Sequence, residues 1–322
     1  MSVASKSNIR SVDRSAIAEA ARLLQAGKLV AFPTETVYGL GADATNDRAV
    51  AGIFAAKQRP RFNPLIVHVG GLEQAEAHAH FNPGARKLAD AFWPGALTVV
   101  LPRRANCSLS ALVSAGLETV ALRVPAHPVA HQLLNESGVP IAAPSANASG
   151  RISATTAQHV ETSLGRSVDL IIDAGPTPLG LESTVIGFED GRPLLLRSGA
   201  ITRAAIEEAI GPLGEYSGHA IHSPGRLASH YAPRAPIRLN AEMVAPNEAL
   251  LAFGPRVPEG AAQTLNLSVT GDLTEAAANF FAMLHMLDAV GLPIAVMPIP
   301  QEGLGAAIND RLVRAAAPRE AA

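Results

Sequence analysis

Three cationic residues lie close together in the first third of the chain. Lys57, Arg59 and Arg61 fall between the predicted end of a helix and the start of a strand. Cations at a helix C-terminus interact favourably with the helix dipole, so a solvated helix end is one interpretation. Two prolines and Asn63 make the loop stiff, however, and preorganised cations are what phosphate groups require. The segment 57–65 is therefore either a surface run of charges or an anion site.

A second polar segment, 33–41, follows an apolar strand and reads Pro-Thr-Glu-Thr-Val-Tyr-Gly-Leu-Gly. The hydroxyls of Thr34 and Thr36 and free backbone N–H groups suit a small zwitterion or a phosphate. An ordinary connection from strand to turn is the other interpretation.

A third segment, 144–153, places Ser145, Asn147 and Ser153 around Gly150, directly after an apolar strand. These side chains offer both donors and acceptors. In open α/β sheets, ligands bind where strands end, so the segment is a candidate site. A polar loop that caps the following helix is the alternative.

Two arginines lie on predicted strands. Arg197 ends an apolar strand next to the polar segment 181–185, so its guanidinium is expected at the sheet edge. Arg123 falls within a strand, where a charge is costly unless it is paired or bound to an anion. It is either half of a structural ion pair or a carboxylate clamp. His68 also lies on a strand, and a lone strand histidine is more often structural.

Composition excludes several classes of protein. The single cysteine, Cys107, rules out a disulfide within the chain and a cysteine-rich zinc site. The net charge of −2 provides no overall positive potential that would attract nucleic acid. Aromatic residues make up only 4% of the chain, which disfavours binding of nucleic acid by base stacking. Phosphate-loop, dinucleotide, zinc-protease and serine-hydrolase motifs are missing from the sequence.

The N-terminus is polar and the longest apolar region, 280–300, is interrupted by charges and prolines. We therefore expect a soluble, cytoplasmic protein without a membrane span.

The elements that must position these residues alternate along the chain. Apolar strands between amphipathic helices predict an α/β fold, an open twisted sheet with helices on both faces. Strands are predicted at 29–32, 65–69, 97–101, 119–124, 141–143, 169–173, 184–188 and 194–197. Helices are predicted at 13–25, 47–57, 82–92, 128–136, 155–164 and 202–210.

The composition and the hydrophobic periodicity of the sequence change after about residue 212. We predict a first domain over 12–212, a linker over 213–235 and a smaller C-terminal α/β domain over 236–318. The second domain is expected to have strands at 237–239, 250–253, 265–269 and 294–297. Its long helix, 273–289, is capped by Asp272.

In this order, the segments resemble the YrdC-like family in its long two-domain form, the threonylcarbamoyl-AMP synthases. The resemblance rests on 33–40, 57–60, 63–68, 93–95, 97–98, 123–125, 143–147, 182–185 and 197–199, and it extends to 223–225, 230–233, 303–305 and 308–311. It implies a YrdC-like sheet and the synthesis of L-threonylcarbamoyladenylate from L-threonine, bicarbonate and ATP, with release of pyrophosphate. Partner proteins would then transfer the threonylcarbamoyl group to the adenosine beside the anticodon of tRNA.

The resemblance also implies roles for individual residues. The threonine site would include Thr36, His68, Arg123, Ala143 and Ser183. The ATP site would include Lys57, Arg59, Asn63, Thr119, Ser145, Asn147, Ser153, Arg197 and Tyr231. Lys57 and Arg59 would also be catalytic, by offsetting charge on the phosphates together with Mg²⁺. The linker, with Tyr231, is the expected lid.

Two alternatives belong to different classes. An RNA-binding or regulatory module with the same fold is disfavoured by the charge and the few aromatics. An enzyme that carbamoylates another acceptor, as in hydrogenase maturation, would bring zinc-finger cysteines that this chain lacks.

Overall fold

The computed structural model describes residues 7–60, 62–215 and 229–318. Within these ranges the chain forms a large mixed sheet flanked by helices, followed by a smaller parallel sheet with two helices. The α/β class and the smaller second α/β domain predicted from the sequence are confirmed. The exact domain boundaries stay a prediction, and Arg61 and most of the predicted linker lie outside the described residues.

The first sheet has the strand order β1-β8-β2-β3-β7-β4-β6-β5-β9-β10-β11 and mixes parallel with antiparallel pairs. Its strands are β1 (Ile9–Ser11), β2 (Val30–Pro33), β3 (Tyr38–Asp43), β4 (Ile66–His68), β5 (Leu97–Pro102), β6 (Thr119–Arg123), β7 (Ile141–Ala142), β8 (Leu170–Asp173), β9 (Thr184–Glu189), β10 (Arg192–Arg197) and β11 (Gly214–Glu215). Its helices are α1 (Arg14–Gln25), α2 (Asp47–Lys57), α3 (Leu72–His78), α4 (Pro83–Phe92), α5 (Pro128–Ser137), α6 (Ala157–Leu164) and α7 (Arg203–Ile210).

Helices cover the two faces of this sheet unequally. On one face, α2, α3, α4, α6 and α7 pack against the strands in one large apolar cluster. On the other face, α1 and α5 cover β2, β7 and β8. The remaining part of that face has a small cluster whose buried members, Ile66, Val100, Ala121, Val185 and Leu196, all come from strands. The face thus leaves room for a cavity beside α1 and α5.

The strand β3 is the main element that the sequence pattern missed. Its glycines were interpreted as part of a polar turn, because glycine weakens a strand. In the structure, Gly41 allows close packing: a Cβ there would lie 2.7 Å from Phe32 Cε1 and 2.9 Å from Ile141 Cγ2. The polar connection is correspondingly shorter, and only residues 34–37 separate β2 from β3.

The second domain is a four-stranded parallel sheet in the order β12-β15-β13-β14. Its elements are β12 (Ile237–Arg238), β13 (Ala249–Ala252), β14 (Gln263–Asn266), α8 (Leu273–Val290), β15 (Ile294–Val296) and α9 (Leu304–Ala316). The predicted strand at 265–269 was placed too late, since β14 ends at Asn266 and the buried Leu267 follows it. The helix α9 was not predicted, nor were α3 and β1.

Apolar contacts join the two domains. Val37, Ile152 and Leu181 of the first domain belong to the same buried cluster as Phe280 and Phe281 of α8. The second domain therefore packs against loops of the first. Gly214–Glu215, at the start of the predicted linker, pairs in parallel with β10. Within the described ranges, no helix is both long enough and apolar enough to cross a membrane.

Candidate active site

A cavity of about 50 Å³ lies beside the strand cluster on the partly covered face of the first sheet. Most of the predicted site residues line it: Thr36, Arg59, His68, Arg123, Ala143, Ser145, Ser183, Arg197 and Tyr231. Segments that are far apart in the sequence thus meet here. Val37, Ile66, Pro144, Glu182 and His230 complete the lining.

Arg123 lies at one end of the cavity, where a carboxylate balances its positive charge. We call this the balanced end. Its Nη2 donates to Glu35 Oε1 at 2.6 Å, and its Nη1 donates to Thr36 Oγ1 at 3.0 Å. The second oxygen of Glu35 accepts hydrogen bonds from the backbone N–H groups of Ala126 and His127. Burial alone would raise the pKa of Glu35, but the Arg123 guanidinium outweighs burial and lowers it. The ion-pair interpretation of Arg123 is therefore correct, and Arg123 itself lines the cavity.

His68 lies directly beside this pair, because parallel β4 and β6 place it in register with Arg123. Burial, reinforced by the Arg123 charge, lowers the pKa of His68 to about 3. The imidazole is thus neutral near physiological pH. Its Nδ1 is buried without a hydrogen-bond partner among the described residues, so it is available to a ligand.

Lys57 and Arg59 form the unbalanced end, where Arg59 lines the cavity and Lys57 is buried beside it, outside the lining. The Nζ of Lys57 donates to the carbonyl oxygens of Ser145, at 2.5 Å, and Asn147. Arg59 donates from Nε and Nη2 to two carbonyls of its own loop, at 3.2 and 2.9 Å. Neither cation pairs with a carboxylate in the part of the chain that the structure describes.

The burial of these two cations separates the two interpretations given for them. Lys57 is 1% exposed and Arg59 is 7% exposed, so neither lies on a solvated surface. Burial lowers the pKa of Lys57 well below its ordinary value and that of Arg59 to about 10. Buried charge without a counter-charge is unfavourable, which is typical of a site that binds an anion.

A third group of contacts surrounds Ser183. Its Oγ lies 2.8 Å from Thr98 Oγ1 and accepts from Arg197 Nη2 at 3.1 Å. Arg197 also donates to the Ser183 carbonyl, and burial lowers the pKa of Arg197. Gly199 packs against the same backbone, where a Cβ would lie 2.4 Å from the carbonyl oxygen of Glu182. The arrangement fixes the Ser183 hydroxyl at the cavity wall.

The described end of the linker closes the cavity. Tyr231 is 1% exposed and has a left-handed backbone, with φ of 62°. Its ring contacts the rings of His230 and Phe281. The hydroxyl of Tyr231 and Nδ1 of His230 are buried without a partner among the described residues.

Unpartnered buried polar atoms concentrate around this cavity. The atoms at or beside it are Asn63 Nδ2 and Oδ1, His68 Nδ1, Asn147 Oδ1, His230 Nδ1, Tyr231 Oη and Arg311 Nη2. In the described structure, His78 and Thr177 supply the remaining members of the set. Because folded proteins rarely bury polar atoms without partners, this concentration indicates that a ligand completes the site.

Some predicted residues lie outside the lining. Asn63 and Asn147 are buried next to the Lys57–Arg59 end, and Asn147 Nδ2 donates to the carbonyls of Ala148 and Arg151. Ser153 donates to Glu182 Oε1 at 2.6 Å, behind the cavity wall. Thr119 begins β6 at the end away from Arg123, and it is not among the described residues that line the cavity.

Sequence reasoning did not assign Glu35, Glu182, His230 or Arg311 to the site. Each lies inside or next to a segment quoted for the family resemblance, so the signal was present. Their roles depend on which partner each side chain meets, and pairing across more than 80 positions leaves no local pattern. Among the described residues, no cluster of three or more His, Cys, Asp or Glu side chains is arranged to hold a metal ion.

Comparisons with known proteins find matches for both domains. A family model described as telomere recombination, which groups Sua5, YciO and YrdC, matches residues 22–199. A model described as the C-terminal domain of threonylcarbamoyl-AMP synthase matches residues 201–317.

Individual relatives cover both domains. The chain is 39% identical over 316 residues to the threonylcarbamoyl-AMP synthase of Pyrococcus abyssi, a match that covers 92% of each protein. It is 51% identical over 229 residues to the synthase of Bacillus subtilis, covering 69% of this chain and 66% of that protein. The crystal structure of P. abyssi Sua5 complexed with L-threonine matches with a TM-score of 0.88 at 38% identity, over 96% of this chain and 97% of that one.

Proposed function

The chain belongs to the two-domain threonylcarbamoyl-AMP synthase family, and on this premise we propose how its cavity performs the family's reaction. The enzyme joins L-threonine, bicarbonate and ATP into L-threonylcarbamoyladenylate and pyrophosphate. The observation that supports our substrate placement is the contrast between a balanced ion pair at one end of the cavity and uncompensated buried cations at the other.

The balanced end suits threonine. A zwitterion has no net charge, and Arg123 with Glu35 presents one charge of each sign. The Thr36 and Ser183 hydroxyls and the neutral His68 ring supply hydrogen-bonding groups, while Ala143 provides an apolar surface. The relative from P. abyssi was crystallised with L-threonine, which supports L-threonine as a substrate of this chain.

The unbalanced end suits the phosphates of ATP. Lys57 and Arg59 supply positive charge without a carboxylate among the described residues, and linker residues 216–228 contain no Asp or Glu in their sequence. Ser145 and Arg197 face the same cavity. We place Asn63, Asn147 and Ser153 as supports of this end and Tyr231 at its cover. Thr119 stays a proposed ATP contact that rests on the family resemblance alone.

The chemistry needs charge compensation more than a nucleophilic side chain. The threonine amine attacks the carbon of bicarbonate, a C–N bond forms, and water leaves to give a carbamate. A carbamate oxygen then attacks the α-phosphate, and pyrophosphate departs as the bond between the α- and β-phosphates breaks. Carboxylate, carbamate and triphosphate are all negative, so Lys57, Arg59, Arg123 and Arg197 lower the barrier by electrostatics and positioning.

We propose that Mg²⁺ enters with ATP as part of the substrate. Mg²⁺ usually keeps several waters and binds through phosphates with one or two carboxylates. Glu182 is the carboxylate that lines the cavity in the described structure, and Glu35 lies behind it, paired with Arg123. The donor set therefore fits a metal held mainly by the triphosphate.

The size of the cavity indicates a movement. Pockets for nucleotide-sized ligands measure roughly 300–1,000 Å³, whereas this cavity measures about 50 Å³. We propose that His230 and Tyr231 move outward when ATP enters and then cover the labile intermediates. The rest of the proposed lid lies outside the described residues.

The product is an activated acyl group, so it must pass to an acceptor. We propose a cytoplasmic enzyme whose product is used by separate threonylcarbamoyl-transfer proteins acting on tRNA. The RNA-binding or regulatory alternative is disfavoured by the burial of Lys57, Arg59 and Arg197, because buried cations do not form an exposed surface that a polynucleotide reaches.

One experiment tests the function directly. The protein is incubated with MgATP, bicarbonate and each amino acid in turn, and adenylates are identified by mass spectrometry alongside pyrophosphate release. We expect threonylcarbamoyl-adenylate and pyrophosphate only when threonine and bicarbonate are both present. Pyrophosphate release that does not depend on threonine, with no adenylate, would contradict the proposal.

A further inference from the structure

Arg311 is an unusual side chain for the second domain. It lies on α9, is 0% exposed, and is the largest fully buried side chain among the described residues. Its Nη1 donates to Asp310 Oδ2 at 2.7 Å, within its own helix. Its other contacts are with residues outside the second domain, and those residues lie at the wall of the active-site cavity.

The first of these contacts reaches the catalytic domain. Arg311 Nε donates to Glu182 Oε2 at 3.1 Å, and the other Glu182 oxygen accepts from Ser153 at 2.6 Å. Glu182 lines the cavity and directly precedes Ser183, whose hydroxyl faces the proposed threonine site. Arg311 thus restrains the segment that presents Ser183.

The second contact reaches the linker. The guanidinium carbon of Arg311 lies 5.3 Å from the centre of the Tyr231 ring, within cation–π range. One turn further along α9, the carbonyl of Arg314 accepts the backbone N–H of His230 at 3.2 Å. The same face of α9 therefore holds both residues that close the cavity.

We propose that Arg311 is a positioning residue for the adenylate-forming reaction, through which the second domain completes the active site. It does so by fixing the Glu182–Ser183 wall and the Tyr231 ring at the same time. The inference rests on the proposed function, since it assigns the contribution of Arg311 to threonine placement and closure. Arg311 is not itself among the residues that line the cavity, so it acts through its neighbours.

Arginine is suited to this double contact. Its planar guanidinium donates to a carboxylate in its own plane and stacks on an aromatic ring through its face. A lysine at this position would keep a positive charge near Glu182. It lacks both the forked pair of N–H donors and the planar face of the guanidinium. Methionine has comparable length and no charge.

The experiment compares Arg311→Met and Arg311→Lys in the full-length enzyme with Arg238→Met as a matched control. Arg238 is also an arginine of the second domain that pairs with a glutamate, Glu248 at 2.7 Å, but it lies on the surface. For each variant, thermal unfolding, ATP affinity, kcat, the KM for threonine, and adenylate formed per ATP consumed are measured. The double variant Glu182→Gln/Arg311→Met removes both buried charges, in case the single methionine variant does not fold.

We expect folded Arg311→Met to lose roughly 10- to 100-fold in kcat/KM for threonine, because small displacements of a substrate are costly. Its adenylate yield per ATP should also fall, whereas ATP affinity should stay close to wild type. Arg311→Lys should recover part of kcat/KM, and Arg238→Met should match wild type.

The inference is overturned if folded Arg311→Met, or the folded double variant, keeps wild-type kcat/KM and yield, or if activity falls only in proportion to the folded fraction. A wild-type enzyme that forms no adenylate would overturn the proposed function instead.

Discussion

The two ends of the cavity treat buried charge in opposite ways. At one end Arg123 is paired with Glu35 at 2.6 Å, and the carboxylate takes two further backbone hydrogen bonds. At the other end Lys57 and Arg59 are equally buried but donate to neutral carbonyls. The charges of the first end are balanced without a ligand, and those of the second are not.

This difference follows from the charges of the two substrates. A zwitterion is best held by a site with both signs, whereas a triphosphate is best held by a site with surplus positive charge. Surplus charge weakens the empty protein, since a buried ion without a counter-ion has lost its hydration. At the unbalanced end, substitutions should therefore move stability and ATP binding in opposite directions. At the balanced end, substitutions should move stability and threonine binding in the same direction.

The largest expected effect is at the balanced end. Glu35→Gln leaves the Arg123 charge buried without its partner, so the free energy of unfolding should fall by about 3 kcal/mol. The KM for threonine should rise, while ATP affinity changes little. Urea denaturation and steady-state kinetics measure the two effects.

A double variant separates charge balance from packing. Glu35→Gln/Arg123→Met removes both charges and should regain most of the lost stability, because replacing a buried pair by neutral groups is often close to neutral. Threonine binding should not return. If Glu35→Gln is as stable as the wild-type enzyme, the two ends do not differ in the way described here.

The next effect is at the unbalanced end. Arg59→Met should lose roughly 1.5–3 kcal/mol of ATP binding, or about 10- to 100-fold in affinity, because a charge-assisted contact disappears. The free enzyme should be as stable as wild type or more stable, since an uncompensated buried charge has been removed. Arg48→Met, on the exposed surface of α2, is the control for both measurements. Wild-type ATP affinity in Arg59→Met would remove that residue from the phosphate site.

Part of the arrangement around the cavity follows from sequence patterns. Arg59, Arg123, Arg197 and Ser183 were chosen because they lie at or beside the ends of predicted strands or helices, and the structure brings all four into the cavity lining, while their roles stay predictions. The family resemblance then divided them between two substrates. Helices with clear caps, such as α1 after Asp13 and α8 after Asp272, were also placed correctly.

The partners of these residues were not predictable in the same way. The Glu35–Arg123 pair joins a turn after β2 to the end of β6, and the Arg311–Glu182 pair joins the two domains. Such pairs depend on how whole helices, strands and loops pack against each other. The periodicity of residues within one element does not indicate that packing. The strand β3 was missed for a related reason, because its glycines serve close packing against Phe32 and not a turn.

The smallest expected effect concerns the proton on Lys57. Burial, together with the charge of Arg59, lowers the pKa of Lys57 well below its ordinary value in the free enzyme. A bound triphosphate stabilises the ammonium form and raises that pKa, so ATP binding should take up a proton. By linkage, ATP affinity is highest below the free-enzyme pKa of Lys57 and falls as pH rises through it, until the pKa of the complex is reached.

Calorimetry can isolate this proton. Binding of a non-hydrolysable ATP analogue is measured at a series of pH values above the phosphate pKa of about 6, each in two buffers with different enthalpies of ionisation. Wild-type enzyme should show a binding enthalpy that depends on the buffer, and Lys57→Met should not. Lys28→Met, which alters a largely exposed lysine, should behave as wild type. Proton uptake that persists in Lys57→Met would assign it to another group, and the unbalanced end would then rest on Arg59, whose pKa of about 10 keeps it charged throughout.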